Sequence, residues 1–166
     1  DTVNVIGGSA RNFVGAGVVG ATIGGGGAGN YFGAAFTNRV EADFGTVSGG
    51  QQNTIQTGAD NATIGGGNLN TVQSLNHSAT IGGGFWNTIQ NSTDFATLGG
   101  GYHNTIQTGA AYSTIGGGYQ NTIQASAQFA TIPGGWENSA TSYAFAAGRR
   151  AKANHTGAFV WADSTD

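Results

Sequence analysis

The sequence predicts an all-β fold, a parallel β-solenoid with two short strands in each coil, and three observations lead to it. A unit of 17 residues recurs without drift, from "TVSGGQQNTIQTGADNA" at Thr46 to "TIPGGWENSATSYAFAA" at Thr131. Each unit sets β-branched residues between glycine and Asn/Ser/Thr clusters, the pattern of short strands joined by tight turns. Glycine fills 32 of 166 positions, yet 10% of residues are aromatic and only 8% charged. A disordered glycine-rich chain carries more charge and fewer aromatics, and collagen needs glycine at every third position. The unit is too short for a helix-pair repeat or a propeller blade. It fits one coil of a solenoid, stacked on its neighbours at the strand spacing of ~4.8 Å.

Along the chain, residues 1–45 read as irregular coils. "VIGGSARNFVG" from Val5 and "ATIGGGGAGN" from Ala21 are loose copies, and "NRVE" at Asn38 stands where "NTIQ" would, at a shortened spacing. Residues 46–140 form the regular array. In its unit at Thr114, one strand carries Ile115 inward and the other, "NTIQ", carries Ile123 inward. Strand alternation sends Thr114, Thr122 and Gln124 to the opposite surface. Residues 141–166 keep a shorter beat, with "AFAAG" at Ala144 and "AFVWA" at Ala158 set 14 residues apart. A triangular hexapeptide helix would need a third aliphatic column, but that phase holds Gly58, Leu75, Ser92, Gly109 and Ser126, so a two-sided roll fits better.

Two inward aliphatics per coil make a thin core. Each contributes roughly 1.5–3 kcal/mol on burial, against roughly 1–2 kcal/mol of backbone ordering for every residue fixed. Further burial is therefore expected. The glycine-rich strand, bare of side chains, suggests close approach of another backbone, most simply in a closed homo-oligomer.

Three kinds of column follow from the repeat. Asn53, Asn70, Asn87, Asn104, Asn121 and Asn138 keep strict time and read as a structural turn ladder. Phe85, Tyr102, Tyr119 and Trp136 follow the glycines, while Phe95, Tyr112 and Phe129 precede the threonines, in the phase of Phe44. Aromatics beside turns either cover coil edges or offer a platform to a sugar or protein ligand, and these seven are the ligand-binding candidates. Thr63, Thr80, Thr97 and Thr114 form one regular row and Thr71, Thr88, Thr105 and Thr122 another, a pattern that also suits ice.

Other chemistry finds little support. No Lys or Arg lies between Arg39 and Arg149, so the basic stripe of a nucleic-acid groove is missing. No "GKS" or "GKT" follows a glycine triplet, and a triplet in every coil is unlike a single phosphate cradle. His77, His103 and His155 fall at different phases without metal spacing, and His103 occupies a variable slot expected to be a turn. Cysteine is absent, and no apolar run reaches the ~18 residues of a membrane span. Neither an enzyme, nor a cofactor or metal, nor direct membrane insertion is expected.

The C-terminal stretch "SYAFAAGRRAKANHTGAFVWADS" is similar to the short head motif of trimeric autotransporter adhesins, the YadA-like or haemagglutinin-like repeat. The "TIGGGxxNTIQ" units resemble that family's strand followed by its Asn/Ser turn, in a longer coil with a glycine triplet. Bacterial and phage tail fibres carry similar arrays. The resemblance implies a left-handed β-roll from each of three chains around a threefold axis. It further implies an extracellular head, on a bacterial outer surface or a phage particle, that displays a surface for protein or glycan ligands. An ice-binding or lectin-like solenoid is the alternative.

Overall fold

The computed structural model describes residues 3–163, and these form a parallel β-solenoid without a helix. The chain alternates between two sheets. The first has ten strands, from Val5–Ile6 to Phe159–Ala162, and the second has nine, from Phe13–Val14 to Lys152–Ala153. Within the array every position stacks on its own copy: Thr97 beside Thr114 and Leu98 beside Ile115 in the first sheet, Thr105 beside Thr122 and Ile106 beside Ile123 in the second. Backbone hydrogen bonds run along the solenoid axis, as from the Thr114 N–H to the Ala130 carbonyl at 2.9 Å and from the Gly116 N–H to the Ile132 carbonyl at 2.8 Å. A third, narrower ladder of single-residue bridges joins Phe85, Tyr102, Tyr119 and Trp136.

The core is fuller than two aliphatics per coil. In the coil at Thr114, Ile115, Asn121, Ile123, Ala127 and Ala130 are all fully buried. The phase expected to hold a third inward column lies on the turn itself, where Leu75 and Ser126 both take φ near +60°. One residue later the chain points inward, giving a buried column of Ala59, Asn76, Thr93, Ala110 and Ala127. With this fuller core the single chain buries more than two aliphatics per coil without a second chain.

The glycines also have a reason inside the chain. A Cβ on Gly116 would run into the Pro133 carbonyl of the next coil, and one on Gly118, at φ +90°, into the Gly135 carbonyl and the Asn121 amide. Bare backbone is needed where coil meets coil, so the triplet does not require a second chain.

Departures from the 17-residue period fall at the two ends. The coil between Thr22 and Thr46 is lengthened by an antiparallel hairpin, Ala28–Tyr31 with Ala34–Phe36. Its central residues Phe32 and Gly33 have φ +49° and +82°, as a type I′ hairpin turn requires. The shortened spacing before Asn53 comes from a shorter turn after Asn38: Val40 and Val47 lie seven positions apart, where their partners Ile55 and Ile64 lie nine apart. At the other end Phe145–Gly148 pairs with Phe159–Ala162, Phe145 beside Phe159, which is the 14-residue beat of the sequence.

Candidate functional site

The Asn ladder is the internal spine of the roll. Asn121 donates from Nδ2 to the Gly117 carbonyl of its own coil and to the Gly135 carbonyl of the next, both at 2.9 Å. Its backbone N–H donates to Oδ1 of Asn104, and its own Oδ1 accepts from the Asn138 N–H, again at 2.9 Å. The same bonds repeat at Asn53, Asn70, Asn87 and Asn104. Two asparagines extend the ladder toward the N-terminus, since Asn38 donates to Asn12 and accepts from Asn53. They were legible as the Asn of "RNFV" and "TNRV", each before a strand. The Asn side chains do not occupy the turn conformation themselves; the preceding residue does. Trp86, His103, Gln120 and Glu137 have φ between +52° and +58°.

Both aromatic columns assemble as stacks. Phe85, Tyr102 and Tyr119 lie face to face with centroids 5.3 and 5.2 Å apart, while Trp136 meets Tyr119 edge-on at 88°. Phe95, Tyr112 and Phe129 stack at 5.2 and 5.1 Å. Tyr143 prolongs this second stack at 5.2 Å. Sequence spacing missed it because the interval from Phe129 is 14 residues, the period of the C-terminal coils. Phe44 shares the phase but stands apart, with Asn61 and Ser78 in the coils between.

The structure keeps the two columns separate, one on each border of the first sheet. Thr97, Thr114 and exposed glycine backbone lie between them. Rings of the second column remain 46–61% exposed from Phe95 to Tyr143. Stacking this close leaves no gap for a sugar ring between neighbours, so the exposed parts are edges rather than faces. Trp136 has its face occupied as well, by the Arg149 guanidinium 4.5 Å from the ring centroid. An edge array suits contact with another protein surface better than sugar stacking.

Titratable groups are few. His77 Nδ1 lies 3.1 Å from Asp94 Oδ1 in an exposed pair. Asp94 also accepts the His77 backbone N–H at 2.8 Å, and Asp60 accepts that of Asp43 at 3.1 Å. These carboxylates act as turn acceptors between coils. Glu137 has its pKa lowered, first by the hydrogen bond from Arg150 Nε at 2.8 Å and then by the charges of Arg150 and Lys152. His155 is exposed near the C-terminal end, far from the other two histidines in the coil order. Among the described residues no three His, Cys, Asp or Glu side chains come together as a metal site.

The outward threonines, exposed at Thr97 and Thr114 and half-buried elsewhere in the array, stand in single in-register rows. On the strand Thr97–Leu98 the next outward position is Gly99, and on Thr105–Ile106 it is Gln107. Neither sheet offers the paired hydroxyl rows that would make a flat regular lattice. No protein-family model and no curated protein matches the chain.

Proposed function

We propose that the chain is a rigid display module of an extracellular surface or fibre protein, assembled as a homotrimer and used for adhesion. The observation that carries this reading is repetition in register. The solenoid presents the same exposed edges, from Phe85 to Tyr119 and from Phe95 to Tyr143, coil after coil. Contacts that are weak singly add through effective concentration when they share one rigid frame.

The trimer has its support at the C-terminal end of the first sheet. Phe145 and Phe159 stack at 4.8 Å, and Phe159 and Trp161 are 73% and 69% exposed on the same strand. Adjacent exposed aromatics of this size mark an interaction surface. Packing that C-terminal end around a threefold axis would cover them. Adhesion is favoured over ice binding because the Thr rows are single and the aromatic edges would interrupt a hydrated lattice.

Binding to immobilised extracellular matrix proteins and to a glycan array tests the reading directly. The wild-type chain is expected to bind, and a Tyr102→Ala/Tyr112→Ala variant, with one ring removed from each stack, is expected to lose at least tenfold in avidity. Unchanged binding by that variant would refute the aromatic display.

A further inference from the structure

The hairpin between Thr22 and Thr46 stands off the roll. Residues 29–35 are all exposed, and only Ala28 and Phe36 at its base are half-buried. Ala28–Tyr31 and Ala34–Phe36 form a two-stranded sheet of their own, paired with neither sheet of the solenoid. The Gly33 N–H donates to Asn30 Oδ1 at 2.9 Å, within the turn. Two strands alone are marginal in water, and a third strand or a packed face is what makes such a unit stable. Sheet edges are usually protected by charge or proline, yet residues 24–38 carry neither. The register shift between Ala28 and Tyr31 bends the outgoing strand and leaves the returning one regular.

The hairpin is also aromatic. Phe36 roots a cluster at its base, Tyr31 meets it at 6.0 Å, and Phe32 leans on Tyr31 at 4.6 Å. At 93% Phe32 is the most exposed large apolar side chain among the described residues. Its place on the roll bears on what covers it. One row of backbone runs from Gly26 through Gly50 and Gly118 to Gly148 and Ala162. The hairpin leaves the roll just after Gly26 at one end of this row, and Trp161 precedes Ala162 at the other. Eight strand steps of the first sheet separate them, from Thr22–Ile23 to Phe159–Ala162, about 38 Å at the ~4.8 Å spacing.

We infer that the hairpin is a clamp between copies of this chain. The outgoing strand of one hairpin pairs with the returning strand of the next, and three hairpins close into one six-stranded ring with the rings of Tyr31 and Phe32 covered between them. This rests on the homotrimer proposed above. The two edges of a hairpin are unlike, so the contact is head-to-tail, and such contacts form a ring when the rotation closes. The bend in the outgoing strand is what a small closed ring uses. Strands of four and three residues offer only a few edge hydrogen bonds, enough for no better than roughly millimolar binding of a free peptide strand. Chains already joined at Phe159 and Trp161 hold their hairpins at effective concentrations of that order. The edge is therefore filled by a second copy and not by a foreign peptide. Contacts at both ends of one row hold three rods parallel, where one contact alone would let them splay.

Hydrogen exchange on the whole chain tests the clamp at the amide of Ala35. That N–H lies one residue beyond the Tyr31–Ala34 pair that closes the turn, so it points away from the partner strand. In the assembled wild type it is expected to exchange at least tenfold more slowly than in the Phe159→Ser/Trp161→Ser variant. Ala35→Pro removes this donor from the edge and is expected to weaken assembly at least tenfold in sedimentation. Thr57→Ala, on an exposed turn away from the hairpin, is expected to leave assembly unchanged. Circular dichroism establishes that each variant keeps the roll. An unprotected Ala35 amide in a wild-type trimer, or unchanged assembly of a folded Ala35→Pro variant, would overturn the clamp and spare the trimer. A wild-type monomer would overturn both. Protection that persists in a Phe159→Ser/Trp161→Ser monomer would place its cause within one chain and overturn the clamp. Protection that appears only on adding fibronectin or phosphatidylcholine vesicles would assign the edge to another partner and overturn it as well.

Discussion

Asn104 makes the hydrogen bonds of its place in the ladder with every available group. Its Nδ2 serves the Gly100 and Gly118 carbonyls at 3.0 and 2.9 Å, and its Oδ1 accepts the Asn121 N–H at 2.9 Å. Asn104→Ala leaves the buried Asn121 N–H and the part-buried Gly100 carbonyl without these partners, each worth roughly 1–3 kcal/mol, while the Gly118 carbonyl keeps the Tyr102 N–H. A loss of at least about 2 kcal/mol is expected in urea unfolding, against near zero for the exposed Asn91→Ala. Asn104→Asp keeps the acceptor and sets a carboxylate against two carbonyls, so it is expected to be no better tolerated than alanine. Glu137 gives a pH-dependent counterpart. Its pKa is lowered from 4.5 by Arg150, so its pairing is present above that value and is lost as pH falls through the lowered one. Arg150→Gln is expected to return the Glu137 titration toward 4.5 in an NMR pH series. The Asn column was legible because a period shows itself without any knowledge of contacts. The strained neighbours were not: a φ of +58° at Trp86 or Phe95 has no side-chain signature.

Strands of two residues are unusual elements, and their stability is borrowed from the coils on either side. Thr105–Ile106 pairs with Thr88–Ile89 below and Thr122–Ile123 above. Ile106→Ala removes a fully buried side chain and is expected to cost about 2–5 kcal/mol. Thr105→Ala, on the outward side, is expected to stay within about 1 kcal/mol. Chemical denaturation of both variants checks the difference, and equal losses would mean that the inward and outward assignments are exchanged. Those assignments followed from alternation alone. The Ala59 to Ala127 column did not, because it sits one residue beyond a turn and the strand period is broken there. The hairpin at Phe32 escaped for a related reason. "NYFGAAF" carries its turn signal in a single glycine among many, and glycine is the least informative residue in this chain.

For the molecule as a whole, each coil touches only its neighbours, so stability is close to a sum of coil and interface contributions. Unfolding is expected to start at the ends and to lose cooperativity as the array lengthens. Hydrogen exchange should find the amides of residues 80–123 slowest and those near Val5 and Phe159 fastest. Association belongs to this scale as well. Sedimentation at micromolar concentration is expected to give a trimer, and Trp161→Ser with Phe159→Ser to give a monomer; a wild-type monomer would end the trimeric proposal. The sequence carried the architecture because a repeated unit states its own contacts many times over. It said little of which distant residues share a row, since Arg39 and Lys152 are far apart in the chain and become the two ends of one row only once register is known. The identical register has one more consequence. Removing residues 63–79 would rejoin every row with a like partner, because Thr46 and Thr80 present the same face to the coil between them. The rod would shorten by one increment of ~4.8 Å and keep its surface chemistry. Length is thus a quantity this gene can adjust in whole units, by slippage or unequal exchange between its own repeats, with folding left intact at every step.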